Sequence, residues 1–245
     1  MPRVLALLLL FACIDAGIAQ PVRAADASTA AQVDAAMALP EALRKALEAR
    51  KPEPGLTAEE RVQRLVDFMV ADDGLALRYQ EQPTLGIAES HAQRKVNCLS
   101  FTLMFIALAR ASGMQAHAQA SDDALAMRVL DDTVYRATHV NAGVEIRGME
   151  YTVDVGWRSL LAVRKPRTIS DAQAVALLHN NNAVERLLQK DFAQAASEIG
   201  IALALDPANP EVWSNAGVVH WRSGRNDAAE HAYLQALALQ RDPLG

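Results

Sequence analysis

The spacing of apolar residues along this chain changes twice. Over the first third it is helical. Pro40 to Arg50 carries one apolar stripe, and Thr57-Ala58-Glu59-Glu60 is a capping-box start for a helix with Val62, Leu65, Val66, Phe68 and Met69 turned inward. A short helix is expected across Ile87 to Gln93. The breaker cluster Lys51-Pro52-Glu53-Pro54-Gly55 separates the first two helices, and Gly74 with the Gln82-Pro83 pair marks loop ground before the third. From Cys98 to Ala111 apolar residues occupy nearly every face, which predicts a helix sunk in the middle of a domain, with Gly113 as its stop.

After Gly113 the period becomes two. Extended segments are expected over Gln115 to Ala120, Ala124 to Leu130, Thr138 to Ile146 and Tyr151 to Trp157. In the third, Val140, Ala142, Val144 and Ile146 oppose His139, Asn141 and Gly143. In the fourth, Tyr151, Val153, Val155 and Trp157 oppose Thr152, Asp154 and Gly156. A two-residue turn at Arg147-Gly148 makes these runs a hairpin, pairs Ile146 with Met149 and sets Asn141 opposite Asp154. His139 is then a diagonal neighbour of Asp154 on one face, within side-chain reach. The same register puts Glu145 across from Glu150, where like charges repel mildly.

The stretch Trp157 to Ser170 reads as a linker to a helical end segment with an internal repeat. A shift of 34 residues superposes Ala195 on Ala229, Ala202 on Ala236, Leu203 on Leu237, Asn181 on Asn215 and Val184 on Val218. Paired helices at that period are the signature of tetratricopeptide repeats. The second copy resembles that family in Trp213, Gly217, Gly224, Ala229, Tyr233 and Ala236. The first is degenerate, with His179 in place of the first aromatic residue. Two copies are fewer than the roughly three a free-standing array needs, so they are expected to lean on the preceding domain or on another chain.

Composition narrows the class. A chain of 245 residues, 51% of them hydrophobic, can bury a sizeable core. Its 24 basic and 29 acidic side chains form no long run of either sign, so no nucleic-acid partner is expected. Met1-Pro2-Arg3 followed by the apolar run Val4 to Ala12 has the form of a secretory signal, with small-residue cleavage positions after Ala19 or around Ala24. The mature chain is expected to be exported and periplasmic. A competing expectation makes Cys13 the lipidated first residue of a membrane-anchored lipoprotein. Either way Cys98 is the one thiol left in the folded part.

A thiol is nucleophilic as thiolate, and the unsatisfied amides at a helix N-terminus favour that charge. Cys98 opens the buried helix. An imidazole beside it serves as acid and base, and a carboxylate holds the ring in the productive tautomer. His139 and Asp154 are the candidates for these roles.

Asn97-Cys98 opening a buried helix that ends in Ala109-Arg110-Ala111-Ser112-Gly113-Met114, then His139-Val140 beginning a strand, then Tyr151-Thr152-Val153-Asp154 on the next, resembles the transglutaminase-like branch of the papain-like superfamily. The likeness covers roughly Ala88 to Arg158, and is nearest to bacterial members that carry tetratricopeptide repeats after the core. It implies an α+β fold, in which a papain/transglutaminase-like core packs its cysteine helix against an antiparallel sheet and all-α repeats follow. It also implies a Cys98-His139-Asp154 triad acting on amide bonds through a thioester. Two departures bear on substrate: Asn141 stands where animal-type members have tryptophan, and Val155-Gly156 replaces the usual Pro-Thr after the acid. The backbone amide of Cys98 would supply one oxyanion donor. Gln93 lies upstream, where papain-like enzymes keep a glutamine, but at a different spacing.

The layout expected is a signal peptide over 1–25, an Ala-rich flexible segment over 26–38, the transglutaminase-like domain over 39–160, a linker over 161–170 and two repeats over 171–245. The partners expected are a peptide or protein substrate at the triad and a protein at the repeats. No cofactor is expected. His91, His117, His179, His220 and His231 lack metal-ligand spacing, so no metal is expected either. The alternative reading is a catalytically inactive scaffold whose repeat groove carries the function.

Overall fold

The computed structural model describes residues 19–50, 55–130, 133–154 and 166–241. The chain is α+β and mostly helical. Its central element is α5 (Cys98–Ala111), in which every residue from Leu99 to Ala109 is buried. Leu103, Met104, Phe105, Ile106 and Leu108 are wholly sequestered, and each such side chain contributes about 1.5–3 kcal/mol of transfer free energy. A helix buried all round needs neighbours on every side. Here they are the sheet on one side, and α3 (Ala58–Val70), α4 (Ile87–Gln93) and α6 (Asp171–Leu188) elsewhere.

The sheet that receives α5 has the order β5 (Met149–Val153), β4 (Thr133–Ile146), β3 (Ala116–Leu130), β6 (Arg167–Ile169), all pairs antiparallel. Val140, Ala142, Val144 and Ile146 face α5 and are buried, as their alternation predicts. The β4–β5 turn puts Arg147 at φ 52° and Gly148 at φ 77°, a turn of the primed kind that suits the twist of a hairpin. Its register is the expected one, with Ile146 on Met149, Glu145 on Glu150 and Ala142 on Val153. The two extended segments expected between Gln115 and Leu130 are one strand, β3, whose pairing with β4 shifts register between Ser121 and Ala126.

Ahead of the sheet, α2 (Glu41–Glu48) buries Leu43, and the Thr57 capping box opens α3 as its sequence predicts. A two-stranded parallel pair, β1 (Arg78–Tyr79) with β2 (Lys95–Val96), brings the loop after Tyr79 beside the start of α5. The helical end segment is two hairpins, α6 with α7 (Phe192–Leu205) and α8 (Pro210–Arg222) with α9 (Asn226–Arg241). Ala195, Ala202, Ala229 and Ala236 are buried at matching places of the 34-residue period. Ala174, Leu177 and Leu178 of α6 belong to the same apolar cluster as α5. The hairpins therefore share the core of the preceding domain.

Two expectations are corrected. The Ala-rich stretch over 26–38, expected to be flexible, lies mostly within helix α1 (Ala19–Met37), which sets Val33, Ala36 and Met37 against Val175, Ala176 and Leu205. Small side chains weaken an amphipathic signature while permitting close helix contact, so the stretch carries no visible stripe. The linker expected over 161–170 contains β6, which extends the sheet along β3 and buries Ile169 before Ser170 caps α6. Three residues are too few to show a period. The expected signal segment up to position 18, Cys13 and the run Val155 to Lys165 lie outside the described residues. Among the described residues no helix is long and apolar enough to cross a membrane.

Leu103→Ala would leave a cavity against the sheet that rigid neighbours on both sides cannot close. Urea unfolding should show a loss of about 2–5 kcal/mol, with two-state behaviour retained.

Candidate active site

Asn97 is the N-cap of α5, and its side-chain oxygen accepts the amide of Ser100 at 2.9 Å. That leaves Cys98 as the first helical residue, half-buried, with its backbone amide and the positive end of the helix dipole at its sulfur. Ser100 holds the nearby loop down. Its hydroxyl donates to the Leu85 carbonyl at 2.7 Å and accepts the Leu85 amide at 2.9 Å.

His139 stands on β4 where the sheet ceases to be regular. It pairs with Ser121, and the register break of β3 follows at once. Thr102 of α5 donates to the carbonyl of the next residue, Val140, at 3.2 Å, which ties the middle of β4 to the cysteine helix. The imidazole Nε2 lies 2.7 Å from Oδ2 of Asp154, and Cys98 is near enough to act on the ring's charge. With Nε2 engaged by the carboxylate, Nδ1 is the nitrogen left to face sulfur. The hydrogen bond to Asp154, then the neighbouring Cys98, hold the imidazole at a pKa of about 10 against the opposite pull of burial. At neutral pH the ring is a cation between a carboxylate and a sulfur.

Thus the structure brings Cys98, His139 and Asp154 together from a helix, a strand and the residue just past the next strand. Asn141, one step beyond the Ala142–Val153 pair and so opposite Asp154, is 7% exposed, and its Oδ1 has no hydrogen-bond partner. The repulsion expected between Glu145 and Glu150 is relieved. Glu150 Oε1 takes His117 Nε2 at 2.7 Å and the Gln119 side-chain amide at 2.5 Å, over a surface where a Cβ at Gly143 would collide with both. Thr152 donates to Gln119 Oε1 at 3.1 Å, so a polar layer continues from this cluster toward Asp154.

Cys98 opens into a cleft of about 60 Å3 between the loop carrying Tyr79, Glu81, Gln82 and Thr84 on one side and Asn181, Val184 and Glu185 of α6 on the other. That is room for roughly two water molecules. A larger cavity of about 690 Å3 lies at the other end of α5, among Leu47, Arg50, Phe68, Ala111 and Met114, and holds none of the triad. Gln93, the expected upstream glutamine, is exposed at the end of α4 and does not line the cleft. The side-chain amides that do are Gln82, Asn97 and Asn181. The sequence pattern carries no sign that α6 lines the site. The 34-residue spacing describes the hairpins but says nothing of the surface on which they sit.

Among the described residues no group of three or more His, Cys, Asp or Glu side chains is arranged to hold a metal ion. His179 is bonded to Glu198 at 2.6 Å, and His231 lies edge-on to Trp213. Burial and the nearby Arg225 push the His220 imidazole down. Comparison with known proteins finds no matching family model, no matching curated protein and no matching solved structure.

The raised His139 pKa sets a direction for stability. An imidazole held at about 10 when folded and near its ordinary 6.5 when unfolded contributes stability that is fully present below pH 6.5 and is lost as pH rises toward 10. Thermal midpoints of wild type and His139→Gln, followed from pH 6 to pH 10, should therefore converge as the pH rises. A constant gap would show that folding does not raise the pKa of the ring.

Proposed function

We propose that this chain is an exported thiol-dependent amide-bond enzyme, a peptidase, amidase or acyltransferase of transglutaminase-like type, with Cys98 as nucleophile, His139 as acid and base and Asp154 as its orienter. The observation that carries the reading is the 2.7 Å contact of His139 with Asp154, with Cys98 near enough to act on the ring from the N-terminus of a buried helix beside a cleft. In this reading the helical hairpins are tetratricopeptide repeats, and they recruit a peptide or protein substrate.

The chemistry balances with the groups present. The Cys98 thiolate attacks the carbonyl carbon of an amide, forming a C–S bond and placing negative charge on oxygen near the Cys98 backbone amide. Collapse of that intermediate breaks the C–N bond, and His139 gives its proton to the departing amine. An acyl thioester remains. Neutral His139 then takes a proton from water, for hydrolysis, or from a second amine, for acyl transfer. The attacking oxygen or nitrogen displaces sulfur, and the thiolate and imidazolium return. Asp154 keeps Nε2 toward itself and Nδ1 toward sulfur throughout.

A dilute alkylating agent at mildly acidic pH should label Cys98 selectively in the native protein, at a rate reduced by roughly 10²-fold or more in His139→Ala. Mass spectrometry of the labelled peptide reads the outcome. A thiol that reacts only after denaturation, or reacts equally without His139, would replace this reading with the non-catalytic scaffold.

A further inference from the structure

The two helical hairpins hold the residues next to the nucleophile and next to the base. On the nucleophile's side, Asn97 donates its side-chain amide to Thr84 Oγ1 at 2.8 Å. Thr84 is in turn gripped by α6, through its amide to Glu185 Oε1 at 2.7 Å and its hydroxyl from Asn181 Nδ2 at 3.4 Å. On the base's side, the hydroxyl of Thr138, adjacent to His139 and lining the cleft, donates to Glu211 Oε2. Glu211 sits in the first turn of α8 and is 6% exposed. Its other oxygen accepts Asn180 Nδ2 at 3.4 Å, and Asn180 Oδ1 accepts Asn215 Nδ2 at 3.0 Å.

A carboxylate so deeply buried is retained only where its oxygens have partners. Here those partners run from the second hairpin to the residue beside the base. Pairing of β4 with β3 shifts register between His139 and Ala137, so Thr138 lies at the irregularity of the strand.

We propose that Glu211, acting through Thr138, is a positioning residue for His139, so that the hairpins complete the site instead of hanging from it. The role assigned rests on the amide-bond reading above. Thr138 is the handle because its hydroxyl is the only group in the link that can be removed without changing shape. Thr138→Val deletes the donor and keeps the volume, while Thr138→Ser keeps the donor. If Glu211 sets the reach of His139 to sulfur, even a small displacement of the ring is costly in rate.

The test measures two quantities on the full chain: the rate of Cys98 alkylation across pH, and the titration of the His139 ring by NMR. Thr138→Val should alkylate at mildly acidic pH roughly tenfold more slowly than wild type and shift the midpoint of the His139 titration, and Thr138→Ser should restore both. A thermal midpoint that falls in Thr138→Val with the alkylation profile and the ring titration unchanged would mean that the contact is merely structural, and would overturn the proposal. Should Thr138→Val not fold, Thr138→Ala, which also deletes the donor, serves instead, and the same two readouts decide. If the wild-type thiol is not labelled in a His139-dependent way, the amide-bond reading fails. The ring titration still reports whether Thr138 and Glu211 set the position of His139.

Discussion

Burying α5 from Leu99 to Ala109 forces the architecture of the site. A helix N-terminus carries amides with no partner inside the helix, and in the interior these cannot be left to water. The chain meets the requirement with Asn97 as cap and with a loop laid across the first turn and tied to Ser100. The polar groups gathered there to satisfy the helix are the same ones that frame the cysteine. Structural need and chemical opportunity coincide at one helix end, with the apolar length of α5 fixing where that end must lie.

The sheet contributes an irregularity. Next to His139 the pairing of β4 with β3 shifts register before it resumes at Ala137, and here β4 presents an imidazole toward the sulfur while a carboxylate takes the ring's far nitrogen. Partial burial strengthens these charge-assisted bonds without removing the ring from solvent. The side of the cleft that neither helix nor sheet supplies comes from α6, and a buried glutamate of α8 reaches the strand beside the base.

Much of this was legible along the chain, because two strong periodicities cover the site. The bounds of α4 and α5 follow from apolar spacing and a glycine stop, and the hairpin register follows from alternation about Arg147-Gly148. That register alone sets His139 and Asp154 on one face. Where periodicity is weak the pattern misleads. Alanine gives α1 no stripe, and β6 is too short to have a period. The register break within β3 gives one strand the pattern of two. Gln93 lies upstream of the cysteine in sequence, and its exposure on α4 removes it from the cleft.

Patterning by itself determined a buried helix with a thiol at its start, a hairpin carrying an imidazole and a carboxylate on one face, and two helical hairpins repeating at 34 residues. These are local properties, decided by turns and faces within a few tens of residues. Only the tertiary structure decided that the hairpins dock on the domain by α6 and α8, and that Asn181, Glu185 and Glu211 become part of the site's surroundings. Contacts between residues about 70 to 100 positions apart leave no period in the sequence, because they depend on which polar atoms each surface must satisfy once both have folded.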